Sequence, residues 1–244
     1  MRLSLARLSR TLTLSGLIAL AATPTQAQDY MASFSNGNLS ADIANNILHH
    51  GLLNSRLNAS SAGDAPAPAY PTRYQSDPAV TKRVKQQFAD FVQSTGGDGA
   101  GIRAAMEQQD FFGRWGSHVA AYGLQRGDVA DALTAYWVLN WQIANDVRSV
   151  QRAQVQAALQ QVRRSLGGHD VFGSLNQAQK QEMAEVLILN FIAQSIAYED
   201  AMRANDSALQ GRLQDAAVAR FQNEMQVNLR TLQLGTQGFQ AKQP

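Results

Sequence analysis

The 244 residues contain no cysteine. Disulfide staples, thiolate nucleophiles and cysteine-ligated zinc are therefore excluded, and a hydrophobic core has to supply the stability. Charge of one sign is missing too, with 21 basic residues against 19 acidic ones. Arg2, Arg7 and Arg10 all lie near the start, which leaves 18 basic residues against 19 acidic for the rest of the chain. Nucleic-acid binding usually needs a basic stripe, and none is present. The densest basic spots, Lys82-Arg83 and Arg163-Arg164, read as solvated helix faces. Neither Glu-x-x-His nor His-x-x-x-His occurs, so helical metal ligation has no starting point. No glycine-rich phosphate loop follows a strand. Gly116-Ser117-His118 lacks the setting of a nucleophile elbow. The Glu-Ser start typical of lytic transglycosylases is absent as well. No catalytic residue, cofactor or metal is expected.

What the chain does have begins with a leader. The basic start is followed by the apolar segment LTLSGLIALAA (12–22) and by small residues at Thr25-Gln26-Ala27. That pattern predicts a secretory signal peptide over 1–27, cleaved after Ala27. The protein is expected in the periplasm, with full secretion as the alternative. Residues 28–53 hold a short amphipathic helix, with Ile43, Ile47, Leu48 and Leu52 at helical spacing. Residues 54–77 contain three prolines among small polar residues and read as a linker that tethers this helix.

Residues 78–239 read as one helical domain. Asp77-Pro78 is a helix start, and stripes such as Val80, Val84, Phe88 and Phe91 recur at helical spacing up to a last helix ending near Gly235. In 176–204 the residues Val186, Leu187, Ile188, Leu189, Phe191, Ile192, Ile196 and Tyr198 point in nearly every direction around a helix. Such a helix has no solvent face, and its apolar run is well short of the roughly 20 residues a membrane span needs. The fold class is all-α: a bundle of about six to seven helices around a buried central helix, with a tethered N-terminal helix. A second apolar helix, 128–145, is expected to turn Asp131 and Gln142 to solvent. The last helix steps by four through Leu209, Leu213, Ala217, Phe221, Met225 and Leu229, so a bend or break is expected near Asn223.

The ligand-binding candidates are Arg114, Trp115, His118, Asn140, Asn190 and Gln194. Arg114 and His118 are four apart with Trp115 between, the makings of an anion site with an aromatic wall or of a half-buried helix edge. Asn140, Asn190 and Gln194 lie on apolar helix faces, where unpaired amides are costly. They predict either a structural network, Asn140 meeting Asn190 or Gln194 across an interface, or a polar ligand pocket. GDVADALTAYWVLNW (127–141), QEMAEVLILNF (181–191) and LRTLQLGTQGF (229–239) resemble an uncharacterised family of exported all-helical bacterial proteins over about 78–239. The resemblance implies no activity and carries no catalytic residues across. The expected role is that of a non-enzymatic interaction or binding protein, with a protein partner or self-association and no nucleic acid or integral membrane segment after cleavage. The alternative is a helical hydrolase or small-ligand binder with its site near Arg114–His118 and the 169–175 loop.

Overall fold

The computed structural model describes residues 2–4 and 70–242. The expected N-terminal helix within 28–53 and most of the leader and linker lie outside the described residues. Among these there are eight α-helices: α1 (Pro78–Ser94), α2 (Gly99–Gln108), α3 (Phe111–Val119), α4 (Val129–Ala144), α5 (Arg152–Gly167), α6 (Asp170–Gly173), α7 (Gln177–Arg203) and α8 (Ser207–Met225). Short strands join them: β1 (Arg2–Ser4) pairs antiparallel with β2 (Ser149–Gln151), and β3 (Leu232–Gly235) pairs antiparallel with β4 (Gly238–Ala241). β1 lies inside the stretch read as a leader, so the β1–β2 ladder can exist only while that stretch is attached.

Five of the starts follow from one device. Asp77, Asp98, Asp110, Asp128 and Asp206 each accept a backbone N–H of the helix they precede, and Asn176 does the same for α7. These caps satisfy amides that a helix leaves unpaired at its first turn.

α7 is the buried rod expected from its sequence, but α4 is its equal. All 16 residues of α4 are buried, and α4 and α7 make the most extensive helix–helix contact. Asp131 and Gln142 therefore do not face solvent as expected. They are 0% and 2% exposed, because α5, α7 and α8 surround α4 and leave it no outer side. α1, α3, α5 and α8 bury a stripe each against this pair, and α2 packs on α1.

α8 ends at Met225, where Gln226 turns left-handed at φ 54. The break comes three residues after the expected position, and Leu229 stays buried because a 3-10 turn (Leu229–Thr231) redirects it inward. The chain then forms the β3–β4 hairpin rather than the expected end of a helix. Its signal was the alternation Leu232-Gln233-Leu234, buried, exposed, buried. Gly238 takes φ 88, which closes the hairpin and is strained for any side chain. Trp141 Nε1 donates to the Leu232 carbonyl at 2.9 Å and Gln154 Nε2 to the Leu234 carbonyl at 2.7 Å. Gln161 of α5 accepts from Phe239 N and donates to Phe239 O, as a neighbouring strand would. The glutamines of α5 are thus not all solvent-facing.

Residues 70–77, the end of the expected linker, run extended along the domain. Tyr70 N donates to the Gly167 carbonyl, Tyr74 N to that of Gly127, and Val129 N to that of Thr72. Lys180 Nζ donates to the Pro71 carbonyl at 2.9 Å, Gln75 N to Gln177 Oε1 and Asp77 N to Gln181 Oε1. The phenol of Tyr70 reaches Asp170 at 3.0 Å.

Candidate functional site

α3 distributes its three candidates in three ways. Phe111, Phe112, Trp115 and Val119 form the face it buries, so Trp115 goes into the core. Arg114, one residue earlier, is exposed and His118 is half-buried. Trp115 meets Phe191 of α7 edge-on at 6.4 Å, and the His118 imidazole lies 6.1 Å from the same ring. Burial pushes the His118 pKa down to about 4, so the ring is uncharged at neutral pH. A neutral imidazole beside a phenyl ring offers an anion no charge. The 169–175 connection contains α6, which seats Phe172 in the core beneath the Lys180 ammonium, 4.9 Å from the ring centre.

The amides do meet a network, through a residue that the sequence reading missed. Asn140 Nδ2 donates to the Tyr136 carbonyl at 2.8 Å, and Asn140 Oδ1 accepts from the Arg220 guanidinium of α8. Gln194 and Arg220 both hydrogen-bond the Tyr136 side chain, whose pKa is raised chiefly by burial. Asn140 and Gln194 thus belong to one cluster, joined by Tyr136 and Arg220. Asn190 stands apart and donates to the Val186 carbonyl of its own helix at 3.1 Å. Arg220 was findable, because Leu213, Ala217, Arg220 and Phe221 share the inward side of α8.

A second polar cluster lies at the start of α4. Asp128 caps the helix. Asp131 accepts from Gln125 N at 2.8 Å and from Arg163 at 2.9 Å, and Arg163 also reaches Asp128 at 3.3 Å. Arg163, expected on a solvated face, therefore serves buried carboxylates: Asp128 and Asp131 are enclosed by α4's neighbours and need a counter-charge. Burial raises the Asp131 pKa to about 6, with the Asp128 charge adding and the Gln125 and Arg163 bonds opposing.

At the start of α7, Gln181 binds the linker end to the bundle. Its Nε2 donates to the Asp77 carbonyl, to Thr81 Oγ1 and to Glu185 Oε1. Thr81 Oγ1 donates to Glu185 Oε1 at 2.7 Å, while the buried Glu185 Oε2 has no hydrogen-bond partner. Burial raises the Glu185 pKa against these bonds, consistent with a carboxyl held back from ionising.

These three clusters hold helices together. A groove of 350 Å³ is open between α1 and α2, lined by Pro78, Thr81, Lys82, Lys85, Gln86, Arg103, Met106 and Glu107. None of the six candidates from the sequence is among its lining residues. Among the described residues no group of three or more His, Asp or Glu side chains gathers to hold a metal ion. No described helix is long and apolar enough to cross a membrane.

The model of a family of unknown function, DUF6683, matches residues 7–242. The chain belongs to that family. Neither a curated protein nor a solved structure matches it.

Proposed function

We propose that this member of DUF6683 works by binding rather than by catalysis, as an exported helical protein that presents an N-terminal arm to a protein partner or a second copy. The observation that carries the reading is the fastening of residues 70–77 along the domain, from Tyr70 at Gly167 to Asp77 at Gln181. Those bonds fix residues 70–77 to the domain, so Tyr70 is where the proposed arm would join it. The apolar positions Ile43, Ile47, Leu48 and Leu52 in the arm suit helix-in-groove recognition. The leader pattern supports export to the periplasm, or beyond it to the medium. The buried titratable groups support a non-catalytic role, since Asp131 and Glu185 are enclosed by the packing of the bundle and the half-buried His118 is uncharged against Phe191.

Removing residues 28–69 while keeping the leader tests this. The shortened protein is expected to keep its melting temperature but to change its sedimentation or its capture of envelope proteins. Identical behaviour of the two proteins in both assays would remove the arm from the function. N-terminal sequencing of the exported product should begin at Gln28; recovery of an uncleaved chain in the cytosol would end the export part of the proposal.

A further inference from the structure

The groove between α1 and α2 has the make-up of a ligand site and no role in the reading above. Lys82, Lys85 and Gln86 are three and four residues apart on α1, and Arg103, Met106 and Glu107 repeat that spacing on α2. Each helix therefore turns one stripe toward the other. Three cationic side chains line it with one carboxylate, Glu107, while the buried Glu185 lies within electrostatic reach of Lys85. Among the described residues neither Lys82 nor Lys85 is in an ion pair, and Arg103 is paired only with Asp90, at a solvent-exposed 2.9 Å contact.

Lys85 is positioned rather than loose. Its Nζ donates to the Met106 carbonyl at 2.7 Å and sits 6.0 Å from the centre of the Phe112 ring. An ammonium has three donors, and one carbonyl takes one of them. Thr81 is already engaged with Gln181 and Glu185, so the lysines and Arg103 are the charged donors at hand, with the Gln86 amide beside them. Met106, 1% exposed, is the floor beneath them, and Pro78 with the aliphatic stems of the lysines and Arg103 supplies the apolar surface between the charges. The volume falls within the range of small-molecule sites, roughly 300–1,000 Å³.

We propose that this groove binds a small organic anion, a carboxylate or phosphate on an apolar body, with Lys82, Lys85 and Arg103 taking the oxyanion and Pro78 and the aliphatic stems of those side chains the body. The inference stands independently of the N-terminal arm. It is tested on the whole protein carrying methionine labelled with carbon-13 at the methyl group, titrated with octanoate, phenyl phosphate, inorganic phosphate and a tetraglutamate peptide. Octanoate or phenyl phosphate should move the resonance of Met106, buried directly beneath the groove, saturably while those of Met183 and Met225, equally buried but on other helices, stay put. Added salt should weaken the binding, and the pair Lys82→Glu with Arg103→Glu should weaken it about tenfold or more. Both replaced residues are exposed, so the melting temperature should hold; if it falls, the salt titration of the unaltered protein decides. The proposal is overturned if neither organic anion moves Met106, or if the shift survives both salt and the double substitution. It is equally overturned if inorganic phosphate binds as well as phenyl phosphate, or if only the peptide binds.

Discussion

Asn140 and Asn190 look alike in the sequence, each followed by an aromatic on an apolar helix, and the structure uses them differently. Asn140 holds the Arg220 guanidinium inside the bundle, whereas Asn190 bonds only its own helix. Hydrogen bonds to charged groups contribute about 1.5–3 kcal/mol, so Asn140→Leu should cost about 2–3 kcal/mol in urea denaturation. Asn190→Leu should stay within about 1 kcal/mol, and Asn190→Asp should destabilise because it buries a charge.

Acid stability should also divide between two side chains. His118 has its pKa lowered in the fold, from 6.5 to about 4. The unfolded chain then takes the proton first, and stability present above pH 6.5 is lost as pH falls toward 4, by roughly 2–3 kcal/mol. Asp131 has its pKa raised, from 3.8 to about 6. Here the folded chain takes the proton first, and stability is gained as pH falls from 6 toward 4. The two effects oppose each other over the same window. Relative to the unaltered protein, His118→Phe should gain stability between pH 7 and 4.5, and Asp131→Asn should lose it. Parallel pH profiles for all three proteins would exclude both assignments.

At the scale of elements, the hairpin depends on α5. Gln161 makes two hydrogen bonds to the Phe239 backbone. Gln161→Leu should cost about 1–3 kcal/mol by leaving that backbone unpaired, with faster amide exchange confined to 232–241. Gly238→Ala should do as much harm from the other side. A Cβ there would meet Gln161 Oε1 at 2.3 Å, at a φ of 88 that side chains rarely adopt. The helices themselves were legible from caps and periodicity: those that follow Asp77, Asp128 and Asn176 start where the pattern places them. What was not legible depends on distant neighbours. Asp131 reads as solvent-facing until Arg163, in another helix, is brought beside it. Gln154 and Gln161 find their partners only when the hairpin arrives under them. The groove escaped notice because Lys82 and Arg103 are ordinary surface residues one at a time, and only the α1–α2 packing joins their stripes.

For the molecule as a whole, the boundary of the folded unit should lie at Tyr70 rather than at the helix start. A chain beginning at Tyr70 is expected to melt with the full one. A chain beginning at Pro78 loses the α1 cap, the Tyr70, Tyr74 and Gln75 backbone bonds and the acceptor that Pro71 gives the buried Lys180. Its stability should fall by a few kcal/mol, chiefly because the buried Lys180 and Gln181 lose acceptors and donors at about 1–3 kcal/mol each. Equal melting temperatures for the two truncations would show that the strap only rests on the surface.

The C-terminal hairpin has one further consequence. A two-stranded ribbon ordinarily offers its outer borders as a template on which other chains line up into fibrils. Here indole and amide side chains of α4 and α5 already occupy outward-facing groups of Leu232, Leu234 and Phe239. Crowded solutions of the protein should stay clear, and seeded thioflavin growth should start only once Gln154 and Gln161 are replaced.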